Sequence, residues 1–189
     1  MVSRIQLCYS HAWKVKAAPD IRFVPGLNVL VGPNGSGKST ILRALNTCAD
    51  CQITRDENTS AQYFNAELMN PHREDHAPGN LRNMILKTRG GFSSHGEIMK
   101  TALFSLALCP GDTFLVDEPE SGQDLAGVQR IRQGFDELCG NGVQVIIATH
   151  HPLLMQAVNL IELVPGYAEI VRSTLCSLHC HSRNVAPEQ

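Results

Sequence analysis

The chain has 189 residues, 43% of them hydrophobic and 18% charged, which excludes a disordered or fibrous polypeptide and suits one compact domain. Sixteen Lys and Arg against 18 Asp and Glu leave a net charge of −2, so bulk positive charge is not what draws its ligands. Met1-Val2-Ser3-Arg4 opens no apolar run, no stretch reaches the ~18 apolar residues of a membrane span, and the seven cysteines are odd in number and scattered. These features predict a cytoplasmic protein with no membrane insertion.

In chain order, Ile5-Gln6-Leu7 and Ile21-Arg22-Phe23-Val24 alternate as half-buried strands do. Leu27 to Val31 is a mostly apolar strand, and a helix is expected from near Lys38, with Ile41, Leu42 and Leu45 on its apolar side. Gln52 to Ser60 is polar and Asn70 to His76 is charged, so residues 50–80 read as an insertion on the ligand side of a sheet. A helical run from Ile98 to Leu108 leads into the apolar strand Thr113–Val116. Leu125, Val128, Ile131, Phe135 and Leu138 recur at helical spacing between Asp124 and Cys139, and Val143 to Ala148 is the next strand. Val- and Ile-rich strands alternating with helices predict an α/β domain with a mainly parallel sheet. Residues 1–175 are expected to form a single domain, with insertion and signature elements at about 50–100 and a C-terminal tail over 176–189, frayed from His181.

Gly32-Pro33-Asn34-Gly35-Ser36-Gly37-Lys38-Ser39-Thr40 fits the phosphate-loop pattern G-x-x-x-x-G-K-[ST], between a strand and a helix as that pattern requires. Its glycines let successive backbone N–H groups turn inward around phosphates at the positive end of a helix. Asn34 to Thr40 are the candidate nucleotide-binding residues, with the Lys38 cation directed to the β- and γ-phosphates and the Ser39 hydroxyl to Mg²⁺. Thr113 to Val116 ends in Asp117 and Glu118. At the end of that strand Asp117 suits a Mg²⁺ position, and Glu118 suits the base that deprotonates the attacking water. The next apolar strand ends in Thr149-His150-His151-Pro152, where His150 is favoured over His151 for holding that water in line. Glu118, His150 and Lys38 are thus the candidate catalytic residues, and Ser39 and Asp117 the candidate metal ligands.

These motifs, in this order, resemble those of the ABC-type ATPases, members of the P-loop NTPase superfamily. Phe92-Ser93-Ser94-His95-Gly96-Glu97 is similar to that family's signature, with Ser94 and Gly96 aligned to its Ser and second Gly, and Pro119 to Asp124 looks like its D-loop. The fold this implies is a mainly parallel central sheet flanked by helices, with an N-terminal antiparallel β portion and a reduced helical or loop insertion. The resemblance further implies Mg²⁺-dependent ATP hydrolysis and a homodimer that sandwiches two ATP molecules, each bound also by Ser94 and Gly96 of the other protomer. Arg4 to Leu7, Phe23 to Gly35, Asp117-Glu118-Pro119-Glu120 and Ala148 to Pro152 look like the RecF/SMC-like, AAA-type branch of bacteria. That branch implies an ATP-gated switch acting on a separately encoded effector, in DNA repair or phage defence. Two departures stand out. Tyr9 to Trp13 replaces a loop in which that branch often has Arg; packed aromatics are expected there, with stacking of Tyr9 or Trp13 on adenine as the alternative, and no coiled-coil arm interrupts the fold. Gln62 and Glu67–Asn70 are both candidates for the family's Q-loop.

The alternative function is the nucleotide-binding subunit of an ABC transporter. Arg82, Lys87, Arg89 and Lys100 read as a solvated helix face, with nucleic acid as a possible partner. Cys48-x-x-Cys51 and Cys176-x-x-x-Cys180, with His179 and His181, have spacings a zinc site could use, but no sequence feature joins the two pairs and free thiols are expected.

Overall fold

The computed structural model describes residues 1–65, 108–157 and 159–182. A three-stranded antiparallel sheet is built from β1 (Val2–Gln6), β2 (Asp20–Arg22) and β4 (Gln52–Arg55), in the order β2-β1-β4. A five-stranded parallel sheet has the order β5-β6-β7-β3-β8, from β3 (Leu27–Val31), β5 (Ala61–Asn65), β6 (Thr113–Asp117), β7 (Gln144–Ala148) and β8 (Asn159–Glu162). The helices are α1 (Tyr9–Ala12), α2 (Lys38–Thr47), α3 (Leu125–Gly140) and α4 (Tyr167–Ser182). Both the parallel sheet and the antiparallel β portion agree with the architecture expected from the sequence.

The period-two alternation of strands explains why the central ones read as unbroken apolar runs. Val29 and Val31, Phe114 and Val116, and Val145 and Ile147 point to one face, where they pack with Val128, Ile131 and Phe135 of α3. Leu30, Leu115, Ile146 and Ala148 point to the other, against Ile41, Leu42 and Leu45 of α2. Beyond α2 the same core takes in Val2, Ile5 and Ile21 of the antiparallel sheet, so the phosphate-loop helix lies between two sheets. Asp124 begins α3 by accepting a hydrogen bond from the Gly127 amide at 2.6 Å, an N-cap that satisfies one of the helix's open donors.

A buried amide ties the sheets together. Gln144, with no exposed surface, accepts at Oε1 from the Val2 amide (2.7 Å) and the Thr113 hydroxyl (2.9 Å). Its Nε2 donates to the carbonyls of Val2 (2.7 Å) and Val24 (2.9 Å), so every hydrogen-bonding site on the side chain is used.

Two expectations are corrected. Residues 52–65 are not insertion: Gln52–Arg55 pairs antiparallel with β1, and Ala61–Asn65 is the edge strand beside β6. The stretch is polar because β4 turns mostly exposed side chains to solvent at the end of a small sheet, and edge strands carry less apolar surface than central ones. The tail does not begin at residue 176, because α4 continues to Ser182. No Gly or Pro interrupts Tyr167–Ser182, Ala168 anchors the first turn in the core, and Arg172 pairs with Glu169 at 2.7 Å. The remainder of the expected insertion, the Ile98–Leu108 helix up to residue 107, and the basic residues Arg82, Lys87, Arg89 and Lys100 lie outside the described residues. Among those described, no helix is long and apolar enough to cross a membrane.

Candidate active site

Leu30, Ala148 and Asp117 share one rung across β3, β7 and β6. The phosphate loop, the His150 loop and the acidic loop therefore leave the carboxyl edge of three adjacent parallel strands together, where open α/β sheets present ligand sites. Sequence motifs more than thirty residues apart meet because the strand order puts β7 between the other two.

Gly37 precedes α2 in the left-handed region (φ 102°), and no side chain caps the helix. The open N–H groups of the first turn then face the loop and form an anion site. The segment after α1 lies against this turn: the Lys16 amide donates to the Ser36 carbonyl at 3.0 Å, and a Cβ on Gly37 would stand 2.8 Å from Val15 Cα. Lys38 is only 5% exposed and folds back on the loop, its Nζ donating to the carbonyls of Gly32 (2.8 Å) and Pro33 (3.3 Å). Burial lowers its pKa below the ordinary 10.5, while Glu118, Asp117 and Glu120 pull the other way.

A cavity of about 160 Å³ is lined by Asn34, Gly35, Gly37, Lys38, Ser39, Thr40, Glu118 and His150. The structure thus gathers most of the residues singled out from the sequence around one opening. Ser36 is completely buried beneath it, and its Oγ has no partner among the described residues. Ser94 and Gly96 lie outside the described residues.

Asp117 is 1% exposed and is held by neutral donors. Ser39 Oγ donates to Oδ1 at 2.9 Å, and Tyr63 Oη and Asn65 Nδ2 each donate to Oδ2 at 3.0 Å. Burial raises the Tyr63 pKa, and the charge on Asp117 raises it further, which keeps the phenol a proton donor. Sequence reasoning missed Tyr63 and Asn65, although their two-residue spacing puts them on the same face of a strand. The register Asn65↔Asp117 brings them to the carboxylate, whereas Gln62, a Q-loop candidate, sits level with Phe114 and away from it.

Glu118 adopts φ 50°, left-handed backbone that costs a non-glycine residue about 1–2 kcal/mol. Its Oε1 lies 3.8 Å from His150 Nε2. Burial lowers the His150 pKa below 6.5 and Lys38 lowers it further, against opposing pulls from Glu120 and Asp117, so the ring is neutral at pH 7. His151 turns away, its Nδ1 accepting from the Leu153 amide at 3.3 Å. Glu120, assigned no role from the sequence, holds the histidine loop: its Oε1 accepts from Thr149 Oγ1 (2.7 Å), the His150 amide (2.7 Å) and the His151 amide (3.2 Å). An acidic residue three positions beyond a strand end carries no periodic signal, so only the fold reveals it.

Comparisons with known proteins agree with this geometry. One AAA-domain family model matches residues 5–93 and a second matches residues 97–156; the description of the second also names an AbiEii toxin of a type IV toxin–antitoxin system. The arginine transport ATP-binding protein ArtM of Bacillus subtilis is 29% identical over 64% of this chain and 68% of its own length. The chain is a P-loop ATPase of ABC/AAA type. The cytochrome c biogenesis ATP-binding export protein CcmA of Novosphingobium aromaticivorans is also 29% identical to this ATPase, over 38% of each chain. In fold, the ATPase is similar to cbiO1 of Clostridium perfringens, part of the ABC transporter complex cbiONQ, with a TM-score of 0.61 and 17% identity over 97% of this chain and 94% of that one.

Proposed function

We propose that this ATPase binds ATP with Mg²⁺ in the cavity at the phosphate loop and works as an ATP-gated dimerisation switch for a separately encoded effector. The observation that carries this reading is the single opening onto which the phosphate loop, Glu118 and His150 all face. The N–H groups of the loop and first turn of α2 receive the phosphate oxygens, and the Lys38 ammonium moves from the Gly32 and Pro33 carbonyls to the β- and γ-phosphates. A hydroxyl and a carboxylate already in contact, Ser39 and Asp117, are the hard oxygen donors that Mg²⁺ prefers, and the neutral partners of Asp117 leave its charge for a cation. When bound, the ion would supply charge neutralisation on the phosphates. Glu118 accepts the proton of the attacking water, neutral His150 holds that water in line, and Glu120 fixes the loop that carries the imidazole.

The chain through the end of α4 forms one ATPase domain in this reading. Ser94 and Gly96, in the segment that resembles the family's signature, complete the second protomer's site, so that two ATP molecules hold the homodimer and hydrolysis releases it. Resemblance to the RecF/SMC-like branch and the toxin–antitoxin description of the model matching 97–156 support an effector in DNA repair or phage defence, with nucleic acid among the possible partners.

Phosphate release and solution mass, each measured with ATP and with ADP, test the proposal together. Mg²⁺-dependent release and a doubled mass with ATP alone are expected. Release at constant mass would remove the switch and leave the ATPase, and a polytopic membrane protein captured as partner would point to a transporter subunit instead.

The His150 pKa adds a pH dependence. The folded state takes up this proton less readily than the unfolded chain, whose imidazole titrates at the ordinary 6.5. The contribution to stability is therefore full above pH 6.5 and is lost as pH falls through the lower folded value. The acid limb of kcat/KM is expected below pH 6.5, and His150→Gln is expected to move it to lower pH in a pH–rate profile.

A further inference from the structure

Four metal-ligating side chains outside the nucleotide site converge where β1, α1, α2 and β4 meet. Cys8 caps the start of α1 and His11 lies within that helix; Cys48 follows the last turn of α2, and Cys51 immediately precedes β4. The register Gln6↔Gln52 brings them together, because it sets the exit of β1 beside the entry of β4. Cys48 and Cys51 thus group with Cys8 and His11, a pairing that sequence spacing did not disclose.

Cys8 Sγ is 3.1 Å from His11 Nδ1 and 3.9 Å from Cys48 Sγ, and Cys51 Sγ is 3.6 Å from His11 Nδ1. One ligand atom from each residue falls within 4.8 Å of all the others. A tetrahedral ion with Zn–S bonds of about 2.3 Å and a Zn–N bond of about 2.0 Å has ligand-to-ligand edges of roughly 3.5–3.8 Å, so these spacings already approach its coordination shell. Two C-x-x-[CH] pairs, one from each side, are the usual supply for a structural zinc site. The Cys8 amide donates to Cys51 Sγ at 3.3 Å, the outer hydrogen bond that steadies a metal-bound thiolate. Cys51 is 7% exposed and the other three are partly buried, so the centre is sheltered but reachable.

We propose that Cys8, His11, Cys48 and Cys51 form a Cys3His site for one Zn²⁺ ion, which clasps the α1 segment to the far end of the phosphate-loop helix. The clasp reaches the nucleotide site through the chain itself: five residues after His11, the Lys16 amide is bonded to the phosphate loop at Ser36. The chain's single tryptophan, Trp13, lies between these points and is 70% exposed, which makes its fluorescence a reporter of the segment's order.

The test uses untagged, full-length protein purified under reducing conditions, dialysed against metal-free buffer and analysed for metal by mass spectrometry. About one zinc per chain is expected, with about nanomolar or tighter affinity in a competition titration with a chelator. His11→Ala and Cys51→Ser are expected to lose the metal, and the exposed-thiol control Cys176→Ser to keep it. Should the variants not fold, metal is stripped from the parent protein and Co²⁺ is titrated back. Intense thiolate-to-cobalt absorption saturating at one equivalent, with a shift in Trp13 fluorescence, supports the site. Substoichiometric metal with no cobalt saturation overturns it.

Discussion

Replacing Glu118 with Gln is expected to lower ATP turnover by about 10²–10⁴-fold, the range that a positioned general base contributes, while ATP still binds. The substitution keeps shape and removes only the basicity of the carboxylate. It also removes one negative charge from the edge of the phosphate cavity, so the ATP-bound dimer is expected to accumulate rather than turn over. The backbone gives an independent reason to place chemistry here. A glutamate at φ 50° is strained, and such strain concentrates at functional positions, where the surrounding structure holds a side chain at a required angle. Phosphate release and sedimentation with ATP check both halves of the expectation. Unchanged turnover would sink the assignment of Glu118 and turn attention to Glu120, the neighbouring carboxylate that faces the same histidine loop.

Gly37→Ala is expected to weaken ATP binding by about 10²-fold. At φ 102° a side chain is strained, and the added methyl would meet Val15 Cα, Val15 Cγ2 and the Lys14 carbonyl at 2.8–2.9 Å. Two of those three atoms are backbone and cannot swing aside, so the turn before Lys38 must rotate and carry its N–H groups away from the phosphates. Losing two hydrogen bonds to a charged ligand at about 1.5 kcal/mol each amounts to about 3 kcal/mol, or roughly 10²-fold in affinity. Gly35→Ala is the contrast: its φ is 73° but nothing lies within 4 Å of the new methyl. It is expected to cost about 1–2 kcal/mol of stability and less than tenfold in affinity, as read by thermal unfolding and nucleotide titration. Equal affinity losses in the two variants would place the effect in the dihedral angle and not in the contact with Val15.

The parts of the fold most legible in the sequence were those buried on both faces. β3, β6, β7 and α3 stand within a residue of the expected boundaries, because a strand covered on both sides must be apolar throughout and a helix on a sheet must show its stripe. β4 and β5 were lost for the converse reason. Edge and half-exposed strands tolerate polar side chains, so the stretch from Gln52 resembled a loop. The gathering of Lys38, Ser39, Glu118 and His150 around one cavity followed from motifs whose positions at strand ends are dictated by phosphate chemistry. Tyr63, Asn65 and Glu120 were not readable in this way. Each acts on a partner some 30 to 50 residues distant, through a register or a turn that no local pattern encodes. The same holds for Cys8 and Cys51, which are neighbours only because β1 pairs with β4.

The Gln144 amide has a consequence for how the molecule can come apart. Peeling the antiparallel sheet from the parallel one would strand a buried side chain that loses the amide and carbonyl of Val2 at once, each orphaned group costing about 1–3 kcal/mol. Partial opening between the sheets is therefore a costly way to begin unfolding. The two sheets, with α2 clamped between them, form one cooperative unit, and any stiffening of the phosphate loop by its ligand extends to strands that never approach it.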